Sequence, residues 1–190
     1  MLSHSAKAGV AGTIAAIVIV SSCSSVPASN GPLELGGDPG ALCVPSLRGQ
    51  AVTVDDAVRN GGDSEVTIEE VSLVEPQGLS LEAAYLVPIA HMDDGSYLQL
   101  GVWDEFPPPF DEEEPTYPEL QNTWNARVDA VGATVDPGET LDLVVGLAPS
   151  TRGDGTARAI RVIYVESNGE SYMAETTTEI RIAVGRKSCF

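Results

Sequence analysis

Residues 136–147, which read Asp-Pro-Gly-Glu-Thr-Leu-Asp-Leu-Val-Val-Gly-Leu, decide the fold class of this chain. The Pro-Gly pair predicts a tight turn. After it, apolar side chains recur at every second position, at Leu141, Leu143, Val145 and Leu147. A period of two residues is typical of a strand that has one face against a core. The segment therefore predicts a β-strand that the chain enters through a turn.

The same pattern recurs along most of the chain. Further strands are predicted at 50–58, 66–73, 79–87, 96–102, 127–135, 157–166 and 180–184. The apolar phase of 66–73 changes near Glu69 and Glu70, which predicts a β-bulge there. Asn168-Gly169 is the strongest hairpin signal. No part of the chain after the N-terminal segment has sustained helical spacing, so we predict an all-β fold, a single β-sandwich of about seven to nine strands.

The N-terminal segment, residues 1–22, predicts a lipoprotein signal peptide. Residues 8–20 carry no charge, and as a helix they would be about 20 Å long, short of the roughly 30 Å of a hydrocarbon core. Residues 20–23, Val-Ser-Ser-Cys, match the bacterial lipobox. Cys23 is therefore predicted to carry a lipid and to become the first residue of the mature chain. An ordinary secretory signal with an incidental cysteine is the alternative.

The chain after the signal divides by composition. Residues 23–42 are rich in Ser, Pro and Gly, which predicts a flexible tether. Residues 43–190 are predicted to form the β-sandwich domain. Inside it, residues 103–126 form an insertion rich in proline, acidic and aromatic residues.

The two remaining cysteines, Cys43 and Cys189, lie near the two ends of the predicted domain. In an oxidising compartment such a pair predicts a disulfide that joins the first strand to the last. Two free thiols are the alternative. The formal net charge is −18, which disfavours binding to nucleic acid and electrostatic adsorption to anionic lipid.

Catalytic motifs are scarce in this sequence. His91 is the one histidine beyond the signal peptide, and no nucleophile elbow, P-loop or dinucleotide fingerprint is present. The acidic residues Asp104, Glu105 and 111–114 lack the spacing of a calcium loop. We therefore predict no enzyme activity, no metal and no cofactor. A metal-dependent hydrolase that uses acidic residues near His91 is the competing hypothesis.

The insertion is the predicted partner surface. Its aromatic residues are Trp103, Phe106, Phe110, Tyr117 and Trp124. Rigid aromatic rings beside acidic residues are typical of a surface that binds a protein. In the alternative interpretation, Trp103 and Trp124 close one end of the sandwich core and the loop packs over them.

Two short segments resemble a known kind of module. Residues 60–68, Asn-Gly-Gly-Asp-Ser-Glu-Val-Thr-Ile, resemble the N-x-G-x-x-x-V-x-I strand-turn-strand of immunoglobulin-like bacterial modules. Residues 136–143 resemble the P-G-E-T strand entry of the same modules. With the lipobox, the chain is similar to small actinobacterial surface lipoproteins that have an immunoglobulin-like domain and no assigned activity. The resemblance covers most of residues 43–190, and it implies a fold and no catalytic residues.

These observations together predict a membrane-anchored extracytoplasmic lipoprotein. The lipid on Cys23 would hold it to the cell membrane, and its domain would be a non-catalytic binding or structural module with a protein partner. An accessory lipoprotein of a transporter or envelope complex is the alternative within this class.

Overall fold

The computed structural model describes residues 27–92, 95–110, 118–149 and 153–189. The predicted signal peptide, the lipidation site Cys23 and the candidate surface residue Tyr117 lie outside these ranges.

The described chain is built from fourteen strands and one short helix. The strands are β1 (Leu33–Leu35), β2 (Gly40–Ser46), β3 (Val52–Asn60), β4 (Val66–Val74), β5 (Leu79–Pro88), β6 (Ala90–His91), β7 (Tyr97–Leu98), β8 (Val128–Asp129), β9 (Thr134–Val135), β10 (Thr140–Pro149), β11 (Gly155–Ala157), β12 (Ala159–Glu166), β13 (Ser171–Glu175) and β14 (Thr178–Val184); the helix is α1 (Pro118–Asn125). Eight strands have five residues or more. The all-β prediction of about seven to nine strands is therefore confirmed.

The strands form the two layers of a sandwich. One layer is the five-stranded sheet β1-β3-β10-β5-β8, and the other contains the four-stranded sheet β13-β12-β4-β9. The three-stranded sheet β11-β14-β2 extends the second layer, because β11 and β14 continue the strands of the β12–β13 hairpin. Residues 141–147 form the predicted strand with one face against the core. Leu143, Val145 and Leu147 are fully buried in the core between the layers.

Two β-bulges lie on the strands that border one open side of the sandwich. In β4 the register slips so that Ile163 pairs with Glu70 and Tyr164 with Ile68, which leaves Glu69 as the extra residue. This confirms the bulge predicted near Glu69 and Glu70. A second bulge in β5 leaves Glu82 unpaired opposite β10.

The structure differs from the predicted tether over residues 27–42, the part of the segment 23–42 that it describes. The Ala28 amide donates to the Ser171 carbonyl at 3.2 Å, and the Ala28 carbonyl accepts from the Met173 amide at 2.7 Å. Further along, β1 pairs with β3, and Leu33 and Leu35 are buried in the core. Gly31, one of the small residues that suggested flexibility, serves close packing instead, because a side chain there would overlap Tyr164 and Tyr172.

The disulfide prediction is confirmed. Cys43 and Cys189 are bonded, with their Cα atoms 6.0 Å apart. The bond differs in detail from the predicted link between first and last strands: Cys43 lies in β2, and Cys189 follows β14. Since β2 and β14 are parallel neighbours, the bond joins the segment that follows β14 to the adjacent strand β2.

Helix α1 was not predicted from the sequence. The helix has eight residues, and its buried residues are Leu120 and Trp124, which lie about one helical turn apart. One such pair is too little to show a repeated helical period in the sequence. Pro118 at its first position and Glu119 in its first turn are favourable there. Within the described residues, no helix is long and apolar enough to cross a membrane.

Candidate binding surface

The described residues of the insertion, 103–110 and 118–126, lie on the outer face of the five-stranded sheet. On that face, Thr53 lies opposite Gly146, and Asp55 lies opposite Val144, which in turn faces Tyr85 on β5. Residues of the insertion pack over these positions and create a second apolar cluster outside the main core. Its buried members are Val87, Ala90, Leu100, Leu120, Trp124 and Val144, and Tyr85, Leu98, Phe106 and Phe110 pack against them.

Phe106 lies directly over Gly146. A Cβ atom at Gly146 would stand 2.5 Å from the ring of Phe106, so this contact requires a residue without a side chain. The ring centroid of Phe106 is 6.3 Å from that of Tyr85 and 6.4 Å from that of Trp124. Phe106 is therefore a packing residue, which differs from the predicted role of a ring that reaches out to a partner.

Trp124 and Trp103 hold the two parts of the insertion in place. Trp124 on α1 is 7% exposed and meets Tyr85 edge-on at 5.6 Å. Trp103 exchanges two backbone hydrogen bonds with Thr53, of 2.9 and 3.1 Å, and its indole N–H donates to the Leu100 carbonyl at 2.9 Å. Both tryptophans thus stabilise the second cluster on the outer face, and neither closes the end of the main core.

Trp103 and Phe110 form the part of the cluster that is accessible. Their ring centroids are 5.5 Å apart, and both side chains are half-buried. Val102 beside them is 43% exposed, and Asp104 and Glu105 are exposed. Of the predicted surface, these residues are the ones that a partner could contact.

Arg127 completes the cluster at the end of α1. Its guanidinium carbon lies 4.3 Å from the centroid of the Trp124 ring and 5.3 Å from that of Tyr85. The same guanidinium donates to the Trp124 carbonyl at 2.9 Å. A cation at a helix C-terminus stabilises the helix dipole, and a cation over an aromatic face adds about 0.5–2 kcal/mol.

Two carboxylates beneath the insertion were missed from the sequence. Asp142 is 1% exposed and accepts hydrogen bonds from the Gln99 side-chain amide at 2.9 Å and from the Leu100 amide at 3.1 Å. Asp55 accepts from the Gly101 amide at 2.8 Å. Burial raises the pKa of Asp142 to about 6; the Gln99 hydrogen bond opposes this shift, and the charge of Asp55 adds to it. Burial also raises the pKa of Asp55.

His91 is not part of an acidic cluster in the described chain. It is exposed on β6, its ring lies edge-on to Tyr97 at 6.5 Å, and the adjoining cavity of about 370 Å³ is lined by Ile89, His91, Tyr97 and Thr140. Among the described residues, no group of three or more His, Cys, Asp or Glu side chains could hold a metal ion. Asp93, Asp94 and the acidic run 111–114 lie outside the described ranges.

A cavity of about 550 Å³ is a groove along β2, β11 and β14. Its two arginines are already paired. Arg158 contacts Glu75 at 3.4 Å and Glu175 at 2.7 Å, and Arg181 contacts Asp154 at 2.6 Å. The charges of these two arginines are therefore balanced by partners within the fold.

The fold and this surface define the class of the protein: an all-β sandwich whose insertion packs on the outside of one sheet. A comparison with solved structures matches PapD-like domain 7 of human CEP192, at 10% identity and a TM-score of 0.40, over 91% of this chain and 97% of that one. The VesB protease of Vibrio cholerae is similar over 80% of this chain and 32% of its own, at 10% identity and a TM-score of 0.38. No protein-family model and no curated protein matches the chain.

Proposed function

We propose that this chain is a bacterial lipoprotein, held by a lipid on Cys23 to the extracytoplasmic face of the cell membrane. Its domain acts there as a non-catalytic binding or structural module. The observation that carries the proposal is the uncharged run 8–20 followed at once by the lipobox at 20–23. The Cys43–Cys189 disulfide supports it, because such bonds persist in oxidising compartments outside the cytoplasm.

The start of the folded domain supports a close anchor. Ala28 is already bonded into the edge of the sheet at β13. The five residues from Cys23 to Ala28 span about 17 Å when fully extended. A lipid on Cys23 would therefore hold the β13 edge near the membrane surface, on a stalk shorter than the 20-residue tether that composition suggests.

Several reactive side chains of the described domain have structural partners, which supports a non-catalytic role. Cys43 and Cys189 are bonded to each other. Asp142 and Asp55 accept hydrogen bonds from the backbone amides of Leu100 and Gly101, just before the insertion. Arg161 donates two hydrogen bonds, of 2.9 and 2.7 Å, to Glu175.

The anchor is tested by replacing Cys23 with alanine. The variant should leave the membrane fraction or accumulate as an unprocessed precursor, because the lipid has no site of attachment. The matched control is Ser25→Ala, which changes a small residue beside the proposed lipidation site, keeps Cys23 and should remain in the membrane fraction at the mature size. If Cys23→Ala is processed to the mature size and remains in the membrane fraction, the proposed anchor is excluded.

The module proposed here has its partner surface at Trp103, Phe110 and Val102. The exposed acids Asp104 and Glu105 beside them favour a basic protein partner. Chemical crosslinking on whole cells should give an adduct with an envelope protein that Phe110→Ala loses. Tyr97→Ala is the matched control, since Tyr97 is an aromatic residue with 70% exposure on the β6–β7 hairpin. Equal loss in both variants, or in neither, contradicts this surface.

A further inference from the structure

Two segments meet at the end of the sandwich where β2 and β14 both finish. The Gly185 amide donates to the Ser46 carbonyl at 2.8 Å, so the residues after β14 lie against the β2–β3 turn. The Cys43–Cys189 disulfide holds the same residues beside β2. The two segments therefore form one corner of the molecule. We call its four exposed side chains the basic corner: Leu47, Arg48, Arg186 and Lys187.

The basic corner carries unpaired positive charge in a chain whose formal net charge is −18. Arg48 and Lys187 are exposed, and neither forms an ion pair with a described residue. Arg186 lies 3.5 Å from Asp154, but that carboxylate already binds Arg181 at 2.6 Å. The described arginines outside the corner each contact a carboxylate or an aromatic ring: Arg59, Arg127, Arg158, Arg161 and Arg181. Charge complementarity at this corner therefore favours an anionic partner.

Two acids of the insertion lie beside this corner and leave its charge unpaired. The Gln50 side chain in the β2–β3 turn donates to the Asp104 carbonyl at 3.3 Å. In the described chain, neither Asp104 nor Glu105 forms an ion pair with the basic corner. The corner is therefore a second surface beside the insertion, with the opposite charge.

An exposed leucine indicates which kind of anion fits the corner. Leu47 is 52% exposed and precedes Arg48 in the turn. A phosphate polymer offers such a surface charge alone. A polypeptide offers carboxylates and apolar side chains together, and burying an apolar side chain against Leu47 adds to the attraction between charges.

The position of the corner disfavours a lipid surface as its partner. Ala28, five residues after Cys23, is bonded to β13 at Ser171 and Met173. Strand β14 continues β13 and ends at Val184, and at about 3.3 Å per residue the path from Ser171 to Val184 is roughly 40 Å long. The corner is thus at the end of the sandwich away from the lipid. This step alone rests on the proposed anchor.

We propose that the basic corner binds an acidic segment of a partner protein. Carboxylates of the segment contact the three cations, and an apolar side chain of the segment packs against Leu47. The contact is separate from the insertion surface at Trp103.

Peptide binding to the full-length protein tests the basic corner. The probes are two synthetic peptides, one of alternating Glu and Leu, and one of alternating Glu and Ser that has the same charge. The Glu-Leu peptide should bind in spite of the negative net charge of the protein, and its affinity should fall as salt is added. The Glu-Ser peptide should bind several-fold more weakly, because it lacks apolar side chains. A Glu-Leu peptide that does not bind at low salt overturns the proposal, whether or not Cys23 carries a lipid.

A double variant assigns the binding to the cations. Arg48→Ala with Lys187→Ala should weaken binding of the Glu-Leu peptide by about 3- to 10-fold, as expected for the loss of two exposed charge pairs. Arg59→Ala with Arg158→Ala is the matched control, because it removes the same charge from arginines that already have acidic partners. Equal losses in the two double variants would reflect net charge alone and would overturn the proposal.

A third variant and a third probe distinguish a polypeptide from a phosphate polymer. Leu47→Ser should lower the affinity for the Glu-Leu peptide to that for the Glu-Ser peptide. Val128→Ser is the matched control, since Val128 is 53% exposed on β8 and should leave the affinity unchanged. Inorganic polyphosphate that binds more tightly than the Glu-Leu peptide, with no effect of Leu47→Ser on either ligand, would overturn the assignment to a protein segment.

Discussion

At the scale of single residues, the contact of Phe106 with Gly146 joins the insertion to the sheet. The ring occupies the space that any side chain at Gly146 would need, and it also touches the ring cluster of Tyr85 and Trp124. Phe106→Ala should therefore lower the free energy of unfolding by about 3–4 kcal/mol, as expected for a packed phenylalanine. Phe110→Ala removes a half-buried ring that contacts Trp103. It should lower the free energy of unfolding by about half as much. Urea unfolding of both variants checks this, and equal losses would contradict the assignment.

The pH dependence of stability tests Asp142 at the same scale. Its pKa is raised to about 6 in the folded protein, so the folded state binds more protons than the unfolded state between about pH 4 and about pH 6. The free energy of unfolding should therefore fall as pH rises through this range, by up to about 3 kcal/mol from this residue. Glu175 and Asp154 affect the stability in the opposite direction, because their pKa values are lowered in the folded protein. Their contribution to the free energy of unfolding is lost as the solution becomes more acidic.

Asp142→Asn isolates this contribution. The variant should have a flatter stability curve between about pH 4 and about pH 6, measured by thermal unfolding at a series of pH values. Asp63→Asn, which changes an exposed acid in the β3–β4 turn, should keep the slope of the wild-type protein. A wild-type curve that rises through this range would contradict a raised pKa at Asp142.

At the scale of elements, a strand can be predicted from the sequence where its pattern of apolar residues depends on neighbouring positions alone. The alternation of 141–147, the phase change at Glu69 and the Asn168-Gly169 turn each depend on neighbours in sequence, and each has its counterpart in the structure. The segment 127–135 is different. It forms two short strands, β8 on one layer and β9 on the other, because it crosses between the sheets with Ala130 buried and Val128 and Val131 more than half exposed.

The candidate surface was only partly predictable for the same reason. Its aromatic residues stand out in composition, but which of them are buried depends on β10 and β5, which are distant in sequence. Asp142 occupies a position in β10 that alternation assigns to the outer face, and an outer-face carboxylate is ordinarily solvated. Its burial follows from Leu100 and Gln99 lying over it, and no sequence pattern records that contact.

The bulges on β4 and β5 protect two exposed strand edges. In the described chain, β8 pairs with β5 at Tyr85 and Leu86, and β9 pairs with β4 at Val66 and Thr67. Backbone hydrogen bonds of the segment between β8 and β9 extend this cover to Ala84 and Ile68. The rest of each edge carries a bulge at a glutamate, Glu69 or Glu82. Bulges and charges on open edges prevent pairing with another chain.

Replacing both bulge glutamates should therefore promote self-association. Glu69→Val with Glu82→Val should form dimers and larger species at concentrations where the wild-type protein sediments more slowly. Glu65→Val is the control, since Glu65 is an exposed acid in a turn outside these edges. Sedimentation velocity distinguishes the outcomes, and a double variant that sediments as the control does would show that the glutamates do not protect the edges.

At the scale of the whole molecule, the disulfide joins the beginning of the domain to its end across 146 residues of sequence. Closing a loop of this length stabilises a domain by about 4–5 kcal/mol in the chain-entropy model. Cys43→Ala with Cys189→Ala should therefore lower the melting temperature by several degrees or more. Addition of reductant to the wild-type protein should lower it by a similar amount. A melting temperature that neither treatment changes would contradict a stabilising role for the bond.

The proposed anchor would set the orientation of the whole molecule and its place in the cell. Mass spectrometry of the N-terminal peptide of the mature protein, isolated from membranes, tests it most directly. The account predicts a peptide that begins at Cys23 and carries the mass of a diacylglyceryl group on that cysteine. A mature chain that begins at another residue, or an unmodified Cys23 in the membrane-bound protein, would contradict it.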